Sequence, residues 1–157
     1  MQGNAKVIAG LGDLLAAELT SVDQYFVHSQ MYHKWGYERL YERIDHERQD
    51  EIGHATKLIK RILFLEGTPN VANRTPLRVG KDVPQMLQFD LDTEYEVAAA
   101  LKKVIALCEV EQDYVTRDML NTLLEDTEED HAHWLEQQLF LIKQLGLPNY
   151  LQSQAFK

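Results

Sequence analysis

The sequence predicts an all-α protein: four long helices packed as a bundle, a long crossover between the second and third, and a short fifth helix at the C-terminus. Three observations predict it. Apolar residues recur at spacings of three and four over stretches much longer than an average globular helix. Fifteen residues without periodicity, 67–81, separate the second such stretch from the third. One polar pattern also occurs twice: Glu51/His54 and Glu128/His131 both read Glu-x-x-His, and each follows a lone glutamate. Glu18 precedes Glu51 by 33 positions (51 − 18) and Glu94 precedes Glu128 by 34 (128 − 94), so the chain divides into two similar halves.

The first helix is expected from about Asn4 to Lys34, where Val7, Ile8, Leu11, Leu14, Leu15, Leu19, Val22 and Phe26 form an apolar stripe, and Trp35-Gly36 marks its end. The second carries Leu40, Ile44, Ile52, Ile59, Ile62, Leu63 and Leu65. It stops at Glu66-Gly67-Thr68-Pro69, with glycine expected in the helix-ending conformation. Pro69, Asn70, Asn73, Pro76 and Gly80 then favour loop. A connection of this length can travel the bundle and reset direction, whereas a short turn would make the second and third helices antiparallel neighbours. The third helix starts at Asp82-Val83-Pro84-Gln85, with Asp82 as N-cap, proline in the first turn and Gln85 placed to close a capping box. The third and fourth helices meet between Glu111 and Tyr114, a corner without glycine or proline. The fourth ends at Gly146 and Pro148, leaving Asn149 to Lys157 for a short terminal helix that rests on Tyr150, Leu151 and Phe156.

Length and composition fit one domain, 1–157, with 45% hydrophobic and 26% charged residues. No apolar run approaches the ~18 residues needed to cross a bilayer, and Asp13 and Glu18 interrupt the N-terminal apolar stretch. A cytoplasmic protein without membrane partners is expected. The net charge of −9 opposes nucleic-acid binding and favours cations. Cys108, the sole cysteine, reads as a small buried apolar residue rather than a nucleophile.

Residues three apart on a helix share a face, so each Glu-x-x-His pair can aim at one point, with a lone glutamate arriving from the preceding helix. Glu18, Glu51, His54, Glu94, Glu128 and His131 form the ligand inventory of a two-metal carboxylate site in a bundle core. Carboxylates and imidazoles without thiolates suit Fe²⁺ or Mn²⁺ better than structural zinc. Asp130/His133 has the same spacing but no counterpart in the first half, and reads as a polar face. His28 and His33 read as structural, and Trp35 and Trp134 as packing residues.

At Asp23-Gln24-Tyr25-Phe26, Arg61-Ile62-Leu63-Phe64-Leu65-Glu66-Gly67, Asp113-Tyr114-Val115, His131-Ala132-His133-Trp134-Leu135-Glu136 and Asn149-Tyr150-Leu151 the chain resembles the bacterioferritins, over essentially its whole length. The resemblance implies a ferritin-like bundle in a 24-subunit cage, where Fe(II) is oxidised by O2 or H2O2 and stored as ferric mineral. It makes the six residues above di-iron ferroxidase ligands, with Glu51 and Glu128 as bridges. Tyr25 matches a tyrosine beside that centre, and its other reading is a core tyrosine. His46 and Asp50 match an accessory iron site of some relatives, and read equally well as a solvent-facing i,i+4 pair. The family places a haem-ligating methionine where this chain has Ile52, which offers no lone pair. Haem b is therefore left to a partner subunit or to packing without ligation, and Met31 is a weak substitute ligand. The cage can be a homo-oligomer or mixed with a haem-binding bacterioferritin subunit, and iron release can draw on a ferredoxin donor. One residue more than the family spacing falls at Glu125–Glu128, which a π-bulge would absorb. A rubrerythrin-like peroxidase or electron carrier and a largely structural subunit of a mixed cage stand as alternatives.

Overall fold

The computed structural model describes residues 1–156. Among them the regular elements are all helical: α1 (Ala5–Trp35), α2 (Glu38–Phe64), α3 (Val83–Val110), α4 (Tyr114–Glu125), a π-helical segment (Asp126–Ala132), α5 (His133–Leu145) and α6 (Leu147–Gln154). Glu125, Asp126, Ala132 and His133 all keep right-handed helical dihedrals, so α4, the π segment and α5 run on as one rod. That rod with α1, α2 and α3 makes the four-helix bundle, and α6 is the short fifth helix.

The helix ends follow the local chemistry. Asn4 caps α1 by accepting from the Lys6 and Val7 N–H groups, and α1 closes at Gly36, whose φ of 83° suits glycine. At the end of α2 the expected conformation sits one residue early: Glu66 takes φ 66°, and the Gly67 N–H donates back to the Ile62 carbonyl. Glycine is needed at 67 for space instead, since a Cβ there would lie 2.7 Å from Ile8 Cγ2. Asp82 caps α3 through the Gln85 N–H, while the Gln85 side chain accepts from Lys81 N–H, one residue before the usual capping-box partner. The unmarked corner turns on Gln112, at φ 58°, and on Asp113, which accepts from Thr116 N–H.

A stripe on α1 seats the crossover. Thr20, Gln24 and His28, one turn apart and all buried, accept hydrogen bonds from the Thr75, Arg78 and Gly80 N–H groups at 2.8, 3.2 and 3.0 Å. The backbone donors of a segment without secondary structure are thereby satisfied. The His28 Nε2 that accepts from Gly80 leaves Nδ1 to donate to Asp90 at 2.8 Å, the structural role expected for this histidine.

The apolar core falls into two clusters. One is built on Val7, Leu11, Leu14, Leu15, Leu58, Ile62, Leu101, Val104, Cys108, Leu120 and Leu123. The other is built on Tyr25, Tyr32, Leu40, Ile44, Met86, Leu87, Leu91, Leu135 and Tyr150. On each rod the polar residues of the duplicated pattern lie between the two: Glu18 between Leu15 and Tyr25, Glu51 between Ile44 and Leu58, Glu94 between Leu91 and Leu101, His131 between Leu123 and Leu135. The fold thus holds a polar layer across its middle, enclosed by oil on both sides.

Candidate metal centre

Five of the six predicted ligands meet in that layer. Glu18, Glu51, His54, Glu94 and His131 are all buried. One side chain, Glu51, belongs to two groups whose donor atoms lie within 4.8 Å of one another: Glu18, Glu51 and His54, and Glu51, Glu94 and His131. His54 Nδ1 lies 3.5 Å from both Glu18 Oε2 and Glu51 Oε2. His131 Nδ1 lies 2.8 Å from Glu51 Oε1 and 3.5 Å from Glu94 Oε1. The two imidazoles are stacked, 5.8 Å between centroids at 18°. Two sites that share Glu51 are therefore laid out side by side.

The donors are largely without hydrogen bonds. Both oxygens of Glu18 and of Glu51, Oε2 of Glu94 and Nδ1 of both histidines are buried without a hydrogen-bond partner. Leaving such groups unpaired costs about 1–3 kcal/mol each, more where charged. That cost is what a cation would remove, and the donor set fits a pair of Fe²⁺ or Mn²⁺ ions.

Burial and mutual charge set the proton affinities of these donors. Burial pushes the Glu18 carboxyl well above its ordinary range, and the nearby Glu51 charge pushes it further. Burial and the Glu94 charge act to raise Glu51, but the close approach of Glu18, His131 and His54 outweighs them and holds Glu51 low. For His54, burial favours the neutral ring, yet Glu18 and Glu51 bring it up to about 11. His131 is raised further, against the same burial penalty, by Glu47, Glu51 and Glu94. Burial raises Glu94, with His131 and Tyr25 pulling the other way. Within the cluster, Glu18 and the two imidazoles are thus the groups whose proton affinity is raised most, and Glu51 is the carboxylate held low.

Glu128, the sixth predicted ligand and an expected bridge, stands outside the cluster in this structure. Its side chain is 45% exposed and its Oε2 lies 3.4 Å from Lys102 Nζ. Glu128 lies within the π-helical segment Asp126–Ala132, where a π-bulge was expected. In these wider turns a residue three before His131 no longer shares its face. The positions four and five before it turn inward instead: Thr127 is buried, and Asp126 Oδ2 comes 3.1 Å from His54 Nε2.

The remaining predicted residues are placed as follows. Tyr25 is buried and its hydroxyl donates to Glu94 Oε1; burial and the Glu94 charge push its pKa well up. His46 is exposed, with Nε2 3.5 Å from Asp50 Oδ2, and Asp50 continues inward to His131 Nε2 at 3.3 Å. Glu47, Asp50, Asp130 and His131 form a further compact group, but a cation is already there: Arg43 donates to Glu47 Oε1 and Asp130 Oδ1 at 2.5 and 2.7 Å. His133 is exposed, as its reading as a polar face requires. His33 stacks on Tyr41 and bonds Glu38, Trp134 lies under the Arg43 guanidinium, and Trp35 is exposed. Ile52 is 43% exposed on the bundle surface. Phe26, Val27 and Met31 line a surface hollow with Gln30 and Lys34.

Two residues against the site were not among those predicted. Glu47 is 2% exposed and Asp126 is 56% exposed, and each faces the outer nitrogen of a candidate histidine. Glu47 carried a signal, since it lies one turn before Glu51 and shares its face. Asp126 carried none, because its orientation follows from the π segment.

The chain matches the ferritin-like domain over residues 8–145. It is 62% identical to a bacterial ferritin of Synechocystis sp. (98% of this chain, 99% of that one) and 55% identical to a bacterial ferritin of Pseudomonas aeruginosa (98% and 99%). It is 41% identical to a bacterioferritin of Brucella melitensis (99% and 96%).

Proposed function

The chain belongs to the ferritin-like family, of bacterioferritin type, and from that premise we propose that it is an iron-storage subunit whose bundle oxidises Fe(II) to Fe(III) at an intrasubunit di-iron centre. The observation that carries the proposal is Glu51 standing between two three-donor groups, in a buried layer rich in unpaired donors. Glu18 and His54 hold one iron, Glu94 and His131 the other, and Glu51 lies between them. Two ferrous ions so held would supply one electron each, which with two protons reduce O2 to H2O2 or H2O2 to two waters, and the ferric product would pass into the cage. The residues of the chain supply the rest. The polar layer is closed off by apolar packing on both sides, and the histidines and Glu18 give up their protons as the ions arrive. Tyr25 orients Glu94. To join as the sixth ligand, Glu128 must leave Lys102, an exposed ion pair worth only about 0–1 kcal/mol, and the π turns that carry it outward must also repack.

The cage of 24 subunits, homomeric or mixed, belongs to the same reading. Exposed Phe26, Ile52, Phe64 and Phe140 supply apolar surface for subunit contacts. No helix among the described residues is long and apolar enough to cross a membrane, and the cytoplasm is the proposed location. Ile52 gives no axial bond, so haem b in a mixed cage would depend on a methionine-bearing partner subunit. Asp50 and His46 form an outer station for iron near His131, and a ferredoxin donor is the proposed route of reductive release. One observation favours the shell-building alternative: Glu128 rests on Lys102 rather than in the cluster.

The test is anaerobic loading with Fe²⁺ followed by oxygen. Rapid oxidation should saturate near two irons per chain and vanish in Glu51→Ala and His131→Ala, with a smaller loss in Glu128→Ala. Unchanged fast oxidation in the first two variants would reject the assignment.

A further inference from the structure

Each histidine of the cluster turns Nδ1 inward and Nε2 outward, and each outer nitrogen meets a carboxylate from the other half of the chain. His54 on α2 faces Asp126 Oδ2 at 3.1 Å, from the π segment. His131 in the π segment faces Glu47 Oε2 at 2.6 Å and Asp50 Oδ2 at 3.3 Å, both from α2. The chain-level duplication does not extend to these partners: the counterpart of Glu47, seven residues before the second histidine, is Leu124, and the counterpart of Asp126, five before the first, is Gln49.

The partners also differ in how firmly they are held. Glu47 is 2% exposed, its other oxygen accepts from Arg43 Nε at 2.5 Å, and Arg43 is tied to Asp130 at 2.7 Å and lies over the Trp134 ring at 4.8 Å. The orientation of His131 is therefore braced through Glu47 and Arg43 to two further side chains. Asp126 is 56% exposed. A carboxylate on the far nitrogen of a ligating imidazole sets the ring orientation and raises its basicity as a ligand, and its loss costs roughly 10–100-fold in metal affinity. A buried and braced partner does this better than one in water, which loses orientation to side-chain freedom and strength to solvent.

We propose that Glu47 and Asp126 are the positioning residues of His131 and His54, and that the brace on Glu47 makes the Glu51/Glu94/His131 half of the centre the tighter site, filled first. The inference rests on the reading of the cluster as a two-metal centre.

The experiment is an anaerobic titration of the intact assembled protein with Co²⁺, read by the visible absorption of protein-bound cobalt and needing no turnover. Wild type should bind two ions per chain in two resolved steps. Glu47→Leu should weaken the first step by roughly 10–100-fold, enough to merge the steps or reverse their order. Glu47→Gln, whose amide oxygen can still accept from Nε2–H, should fall between wild type and Glu47→Leu. Asp126→Asn should weaken the second step by only several-fold and leave the first unchanged. Because Asp126 is exposed, this variant tests the inference even if Glu47→Leu fails to fold. Wild-type steps of equal affinity, unchanged affinities in Glu47→Gln and Glu47→Leu, or a loss in Asp126→Asn as large as in Glu47→Leu, would overturn the inference. A wild-type protein that binds no pair of ions would instead overturn the two-metal reading beneath it.

Discussion

Loading the centre should expel protons, and the structure says how many. With no metal, His54 titrates at about 11, His131 is raised further, and burial keeps Glu18 protonated well above the ordinary carboxylate range. Glu51 is held low and has no proton to give. Ligation through Nδ1 and through the carboxylate oxygens needs these groups deprotonated, so one proton leaves from each of His54 and His131, about two per chain near neutral pH, and Glu18, raised by burial, adds to the count as the pH falls. Glu94, which burial raises more modestly, adds to the count as the pH falls. By linkage the overall constant for two ions should tighten by about tenfold per released proton per pH unit, about a hundredfold between pH 6 and 7 from the two imidazoles alone. The sign is fixed: raised groups bind protons in competition with metal, so acid weakens loading. The assay is an anaerobic addition of two Co²⁺ per chain in weak buffer with an indicator dye. Cobalt avoids the protons that ferric hydrolysis would add. His54→Asn should lower the release by about one proton. No release, or a pH-independent binding constant, would refute the charge distribution deduced for the cluster.

Further predictions concern the scaffold. Asp113→Ala removes the side-chain cap of α4, accepted from Thr116 N–H at 3.1 Å, and should cost about 0.5–2 kcal/mol in denaturant unfolding. Thr116 and Arg61 hold Asp113 low against the burial that acts to raise it. Its contribution is therefore present above the ordinary carboxylate range and lost as pH falls through its depressed value, and the wild-type advantage over Asp113→Asn should shrink in acid. Thr20→Val leaves the Thr75 N–H without its 2.8 Å acceptor, and hydrogen exchange at Thr75 should accelerate markedly while amides deep in α1 stay protected.

Much of this was legible in the sequence because helix periodicity and ligand spacing obey the same geometry. The extents of α1 and α2, the Asp82 start of α3 and the glycine after Trp35 each follow from local rules, and the structure places them within a few residues, although Phe26, Ile52 and Leu63 of the predicted stripes are exposed. The meeting of five of the six candidate ligands follows too, since residues at matched helical spacing share a face wherever the helix is regular. Glu128 is the residue for which that premise fails. The extra residue near it was visible as a spacing anomaly and a π-bulge was expected there, but which side chains the wider turn sends inward depends on packing against α2 and α3. For the same reason Asp126 gave no warning. Glu66 rather than Gly67 takes the positive φ because Gly67 is spent on the close approach to Ile8, a contact between residues 59 positions apart (67 − 8). The seating of the crossover on Thr20, Gln24 and His28 was hidden as well. Their one-turn spacing is plain, but polar residues on a helix usually face water, and only the path of the loop shows that these face backbone.

The most direct test of the central claim is an anomalous-scattering map from crystals of the assembled protein equilibrated anaerobically with Fe²⁺. The account predicts two iron peaks per chain, about 3.5–4 Å apart as in other two-metal centres, flanking Glu51 with Glu18 and His54 on one side and Glu94 and His131 on the other. An empty layer between the two apolar clusters, or iron confined to the surface carboxylates around Asp50 and Asp126, would contradict it.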